Sequence, residues 1–335
     1  MKVFEIRDTF GIDNLVLTDR PQPLPAHGQV IVKVRAVSLN YRDLLVVKGL
    51  YNPRLPLPLI PFSDGAGDVI ALGEGVTRVK IGDRVAGIFM QSWLAGELTQ
   101  AKTMPVLGGD IDGMIAEYVN IPEDGVVHIP NHLSYEEAAT LPCAAVTAWH
   151  AVIESSLKAG ESVLVLGTGG VSMFALQFAQ MCGARVIITS RSEKKLAKAR
   201  ELGVTDGINY QSIPDWGSKV WELTGGGVDL VVEVGGAGTL LQSFKAVRAG
   251  GRISLIGVLT GTSGEINPLP IVMKKICIQG IFVGSREMFE AMNQAISLHQ
   301  LHPTIDRVFP FEDAREALRY MESGAHFGKI CIRIP

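Results

Sequence analysis

The sequence predicts an α/β protein in which a doubly wound parallel sheet is joined to a second, β-rich domain. Three observations predict it. After about Asp124, short apolar strands alternate with helix-length segments, the order that builds a parallel sheet. Before that point, apolar and polar residues alternate with period two, and glycine and proline break the pattern often. Finally, 335 residues with 47% hydrophobic and 19% charged side chains can fill two cores.

In the first half, Met1–Arg7 alternates as a strand does. Val30, Val32, Val34 and Ala36 form one face of another strand, and Ile31, Lys33 and Arg35 the other. Further strands are expected at Gly67–Leu72, Arg84–Phe89 and Ile115–Ile121, punctuated by Gly73, Gly75, Gly82 and Gly113. Pro53, Pro56, Pro58 and Pro61 exclude a regular helix, so Tyr51–Pro61 is an extended loop. Gln91–Asp112 shows no period.

In the second half, the strand Val163–Leu166 runs into Gly167-Thr168-Gly169-Gly170-Val171-Ser172 and a helix through Met181. A strand at Arg185–Thr189 leads to a helix at Glu193–Leu202, closed by Gly203. Asp229–Val234, a helix near Leu240–Val247 and Arg252–Gly257 continue the series. The tail is mixed: strand Cys277–Val283, helices Met288–His299 and Phe311–Glu322, and a last strand Lys329–Ile334.

Composition excludes several classes of function. With 31 basic and 34 acidic residues, no basic excess calls for nucleic acid. No apolar run approaches the roughly 20 residues of a membrane helix, and the start lacks a signal peptide's apolar core. A soluble cytoplasmic protein is expected. Cys143, Cys182, Cys277 and Cys331 lie far apart and fit neither a disulfide framework nor a zinc knot. The seven histidines fall into no ligand spacing.

The glycine loop carries the first chemistry. A phosphate-binding turn needs a tight bend at its first glycine and a bare backbone at the second, where a pyrophosphate approaches. A small third residue lets helix and strand pack closely. Gly167, Gly169 and Ser172 meet these needs between an apolar strand and a helix, whose free N–H groups face the diphosphate. At the end of the next strand an NAD site normally carries a carboxylate for the ribose. Ser190-Arg191-Ser192 stands there instead, with Lys195 one turn on, which suits a 2′-phosphate and predicts NADPH.

Longer motifs extend this reading: Ala36-Val-Ser-Leu-Asn-Tyr-Arg-Asp43, Pro61-Phe-Ser-Asp-Gly-Ala-Gly67 and Val79-x-x-Gly-Asp-Arg-Val85. Glu137-Ala-Ala-x-Leu-Pro-Cys143, Thr147-Ala-Trp149, Gly207-Ile-Asn-Tyr210 and Gly328-Lys329 follow. Together they resemble the medium-chain dehydrogenase/reductase superfamily, closest to its zinc-free, quinone-reductase-like branch. The resemblance implies a GroES-like β domain from both chain ends (1–124 and 288–335) enclosing a Rossmann domain (125–287). It also implies cofactor contacts from Cys143, Thr147, Tyr210, Val234, Gly235, Ile256, Gly257, Phe282, Val283, Gly284 and Lys329.

The chain departs from its zinc-dependent relatives. They carry a cysteine where Asn40 stands and a histidine where Ser63 stands; their third ligand falls on Cys143, and Asp64 replaces a glutamate. The lobe that holds four cysteines in many relatives corresponds to Gln91–Asp112, which has none. One ligand of three does not hold zinc, so no metal is expected. Cys143 then either touches the nicotinamide or fills a buried gap.

Without a metal, Asn40, Tyr41 and Tyr51 are the candidate catalytic donors to a substrate oxygen. The expected activity is zinc-independent, NADPH-dependent reduction of a quinone or other conjugated carbonyl. Two rivals are a metal-free alcohol dehydrogenase and a non-catalytic NADPH-binding protein. The apolar strand Cys277–Val283 at the sheet edge predicts a homodimer.

Overall fold

A computed structural model describes residues Met1–Pro335. The chain forms two compact units: Met1–Val146 with Gly284–Pro335, and Thr147–Val283. The expected boundary near 124 moves. Val126–His128 pairs antiparallel with Arg84–Gly87, so residues 125–146 complete the first unit. At the other end, the helix Arg286–His299 belongs to the first unit and starts two residues before its expected Met288.

The first unit is built on a seven-stranded mixed sheet. Its spatial order is Ile305–Pro310, Lys329–Arg333, Gln29–Ser38, Asp64–Leu72, Arg84–Gly87 and Val126–His128, with Tyr118–Pro122 pairing to Gln29–Ser38 off this path. Lys2–Ile6 and Leu15–Asp19 make a separate hairpin. Valines on Gln29–Ser38 are buried on both faces, and the core continues through Leu44, Leu59, Phe62, Leu318 and Ile332. Phe4 and Phe311 join distant parts of the chain edge to face at 5.2 Å. The strand expected at Ile115–Ile121 is shorter, Tyr118–Pro122. Tyr41–Val47, for which the sequence pattern predicts no element, is a helix that begins three residues after the long strand ends at Ser38.

The second unit is a six-stranded parallel sheet. Its order is Asp206–Asn209, Arg185–Ser190, Ser162–Leu166, Val228–Glu233, Val247–Leu255 and Cys277–Gly280. In chain order this is 3-2-1-4-5-6, the doubly wound topology that reverses between its first and fourth strands. Ligands bind such sheets at the carboxyl ends of the strands beside that reversal. Leu164, Ile187, Val231, Phe244 and Ile253 fill the core. The strand Asp206–Asn209 and the helix Trp216–Thr224 were not anticipated, and the last strand ends at Gly280 rather than Val283. Cys277–Gly280 pairs on one side only and is a sheet edge. No helix is long and apolar enough to cross a membrane.

Candidate active site

The second unit carries most of the expected cofactor residues, many of them just past the carboxyl ends of its strands, while Cys143, Gly284 and Lys329 lie in the first unit. Gly167 follows the strand Ser162–Leu166 with φ 73°, a conformation that favours glycine. Gly169 caps the helix Gly170–Met181 without a side-chain cap, and a Cβ there would meet nothing within 4 Å. The helix therefore begins on bare backbone beside open space, as close approach of a phosphate requires. Ser172 Oγ donates to Leu166 O at 2.7 Å, so this serine staples helix to strand where a glycine or alanine would only pack. Thr168 is buried, while Gly170 and Val171 are half-buried.

Ser190 ends its strand buried, and Arg191 beside it is exposed with no ion pair. Lys195 lies in the helix capped by Ser192, and Tyr210 N donates to Ser190 O. One carboxylate stands nearby, Glu193, and it accepts from Asn209 Nδ2 at 2.7 Å. Val234 and Gly235 follow the fourth strand and Ile256 and Gly257 the fifth. A Cβ on Gly257 would lie 2.3 Å from Val234 O, so only glycine permits this approach. Glu233, fully buried, accepts from the N–H groups of Gly235 and Gly236 and from the hydroxyls of Thr239 and Ser243. Phe282 and Val283 follow the sixth strand, and Thr147 is buried at the unit's first residue.

The first unit assembles a buried polar cluster. Asn40 caps the helix Tyr41–Val47, and its N–H donates to Asp43 Oδ2 at 2.8 Å. The last strand supplies the next member. Cys331 opposes Ser38 in the antiparallel register, so Lys329, two residues earlier, lies beside Asn40. Lys329 Nζ donates to Asn40 Oδ1 at 2.6 Å and to Leu39 O at 2.7 Å. An ammonium only donates, so the Asn40 amide is oriented with its Nδ2 away from Lys329. Nδ2 reaches Ser63 Oγ at 3.4 Å, and Ser63 Oγ donates to Asp64 Oδ1 at 2.6 Å. Cys143 lies in a π-helical turn, Leu141–Ala145, and its N–H donates to Asp64 Oδ2 at 3.0 Å.

Two carboxylates and an ammonium are thus buried together: Asp43 and Asp64 are fully buried, and Lys329 is 3% exposed. Burial pushes the Asp43 carboxyl up to about 6, against the opposing pull of Arg42. Asp64 is also raised by burial, opposed by Lys329 and by hydrogen bonds from Ser63 and Asn40. Burial holds the Cys143 thiol well above its ordinary range, with the Asp64 charge adding to the effect. Burial therefore favours the neutral thiol of this cysteine, its less nucleophilic form.

The three zinc-ligand positions come together, but their chemistry does not suit zinc. Asn40 is committed to the Lys329 ammonium, Ser63 donates its proton to Asp64, and only Cys143 is a strong ligand type. No group of three or more His, Cys, Asp or Glu side chains is placed to hold a metal ion. A buried lysine at this point also repels a second cation.

Tyr41 and Tyr51 stand apart from the cluster. Both are nearly half exposed, and Tyr51 is linked to it only through Arg42, whose guanidinium lies 5.2 Å from the Tyr51 and Phe89 ring centres. Asp43 was missed as a site residue. Its signal was present, because Asn40-x-x-Asp43 has the spacing of a capping box. The resemblance implies a cofactor contact for Lys329, and in the fold its ammonium bonds to Asn40 and Leu39.

Residues 26–131 match the alcohol dehydrogenase GroES-like domain, and residues 170–298 match the zinc-binding dehydrogenase family. A zinc-type alcohol dehydrogenase-like protein of Schizosaccharomyces pombe is 46% identical over 315 residues, covering 92% of this chain and 91% of the relative. The solved structure of an NAD-dependent alcohol dehydrogenase is 34% identical with a TM-score of 0.92, covering 100% of each chain. The quinone oxidoreductase from Coxiella burnetii is 28% identical with a TM-score of 0.81, covering 100% of this chain and 99% of that one.

Proposed function

Since the chain belongs to the medium-chain dehydrogenase/reductase superfamily, we propose that it is a zinc-independent, NADPH-dependent reductase of conjugated carbonyls, quinones or enones. The observation that carries this is the Lys329–Asn40 pair at the position of the metal site. When bound, the dinucleotide supplies the hydride. Asn40 Nδ2, held in place by Lys329, donates to the substrate oxygen as negative charge grows on it. A saturated ketone concentrates that charge on one oxygen, which zinc would stabilise as a Lewis acid. An enone or quinone spreads it over a conjugated system, where one fixed amide donor suffices. Tyr41 and Tyr51, exposed on the same unit, contribute to substrate contact rather than to the buried network.

The test is NADPH oxidation with matched acceptors, using protein whose zinc content is measured. An enone or small quinone should turn over faster than its saturated counterpart in protein holding well under one zinc per chain. Faster turnover of the saturated ketone, or stoichiometric zinc removed by a chelator together with activity, would sink the reading. No turnover of any acceptor by protein that binds NADPH would favour the non-catalytic alternative. Rapid oxidation of simple alcohols would favour a metal-free alcohol dehydrogenase.

The choice of NADPH rests on Ser190 and the unpaired Arg191 at the end of the second strand. A hydrogen bond to a charged group contributes about 1.5–3 kcal/mol, so Arg191→Ala should weaken NADPH by roughly 10- to 150-fold. NADH binding should hardly change. Titration of both cofactors decides it, and equal losses would show that Arg191 reads no phosphate. The solved structure named as an NAD-dependent alcohol dehydrogenase makes this comparison necessary.

The same reading takes the protein as a cytoplasmic homodimer. Cys277–Gly280 has an open edge, and Leu269, Val272 and Met273 before it are exposed. A two-fold copy would satisfy the edge and cover these side chains. Light scattering should give twice the 36.0 kDa of one chain, and a monomer at micromolar concentration would exclude the pairing.

A further inference from the structure

Val283 has a backbone conformation that its side chain disfavours. Its φ is 54°, in the left-handed region, where a β-branched residue is a genuine outlier. Such strain persists only where surrounding structure enforces it, and it clusters at functional sites. Val283 lies just past the sixth strand, after the last sheet-like bond from Ile281 N to Leu255 O, on the carboxyl-end edge of the parallel sheet. The residue is 5% exposed, and its N–H makes no hydrogen bond within the protein. Its carbonyl is held: His150 Nδ1 lies 2.8 Å from Val283 O. A carbonyl only accepts, so Nδ1 carries the proton and donates.

The helix turn that bears His150 is itself fixed on both sides. Trp149 meets Phe178 of the glycine-loop helix edge to face at 5.4 Å. Ala151 O accepts from Ser254 Oγ of the fifth strand at 2.9 Å. Three consecutive residues, Trp149, His150 and Ala151, therefore tie together the glycine-loop helix, the end of the sixth strand and the fifth strand.

We propose that His150 is a positioning residue: it holds Val283 in its left-handed conformation and so shapes the sheet edge against which the nicotinamide half of the dinucleotide rests. This proposal depends on the dinucleotide reading above. His150 acts through the backbone of Val283 and needs no contact with the substrate. Removing its donor frees Val283 to relax, and the nicotinamide half loses its support. The adenosine half, held at Gly167–Ser172 and Ser190, is untouched. Replacing Val283 by glycine removes the strain, so the left-handed conformation no longer needs His150.

The experiment compares the affinity of the full chain for NADPH and for 2′-phospho-ADP-ribose, which lacks nicotinamide. His150→Phe should weaken NADPH about ten-fold, the equivalent of one hydrogen bond, with the fragment unchanged. His150→Asn, whose amide N–H stands near the Nδ1 position, should bind NADPH as the wild type does. Val283→Gly placed in the His150→Phe chain should restore NADPH affinity. Equal effects of His150→Phe on both ligands, no effect on either, or no rescue by Val283→Gly would overturn the role of His150. If His150→Phe alone does not fold, the double variant should still fold and bind NADPH, and its failure would overturn the proposal as well. Wild-type protein that binds neither ligand would remove the dinucleotide reading and this proposal with it.

Discussion

Replacing Asn40 by alanine is expected to lower kcat for an enone or quinone by about 100- to 1,000-fold, the effect of removing one preorganised donor to a developing oxyanion. NADPH affinity should stay nearly constant, because the glycine loop and Ser190 lie on the other unit. Lys329→Met should reproduce much of this loss. Without the ammonium, Asn40 Oδ1 has no fixed donor, and the amide is free to turn. Tyr51→Phe should cost less, since Tyr51 is nearly half exposed and bonds to none of the buried groups. Steady-state rates and cofactor titration of the three variants test this ordering. An Asn40→Ala enzyme of normal kcat, or one whose whole defect is in NADPH affinity, would contradict it.

The second large effect is on stability. Asp43 has an ordinary carboxyl value of 3.8 and is raised to about 6 by burial in the folded protein. It binds its proton more tightly folded than unfolded, so its ionisation opposes folding. The penalty grows as pH rises through the window from 3.8 to about 6 and is fully present above it. A shift of this size corresponds to about 3 kcal/mol above pH 7 and roughly half of that at pH 5. Asp43→Asn keeps an oxygen to accept from Asn40 N–H and does not titrate. Whatever constant offset comes from losing the Arg42 pair, the variant should gain on the wild type as pH rises from 5 to 7.5. Urea unfolding at those two pH values measures it. A difference independent of pH, or one that moves against the variant, would place the Asp43 titration elsewhere.

What was legible in the sequence was whatever short-range pattern encodes. The glycine loop announced itself because Gly167, Gly169 and Ser172 fall within six residues, between an apolar strand and a helix. The alternation of strands and helices likewise exposed most of the parallel sheet. The helix Tyr41–Val47 was hidden because seven residues are too few for a helical period to show, and it ends in the β-branched pair Val46-Val47. Asp206–Asn209 has only four residues, too few for a period to show. In the active site the residue types were visible, but their partnerships were not. Nothing near Asn40 in sequence reveals that Lys329, 289 residues away, fixes its amide. That contact is set by the register of two antiparallel strands, which only the folded sheet defines. The outlying places of Tyr41 and Tyr51 were invisible for the same reason.

The insertion of one unit inside the other has a kinetic consequence. Residues 147–283 contain every strand of the parallel sheet, so that unit can close using contacts within one continuous stretch. The first unit cannot. Its strand Lys329–Arg333 must find Gln29–Ser38 across nearly the whole chain, and an unfolded segment of that length makes the search slow. Collapse of the inserted unit shortens the gap to a compact bridge and lowers the entropy lost when the two strands meet. Refolding should therefore proceed in two stages, with dinucleotide binding regained before turnover.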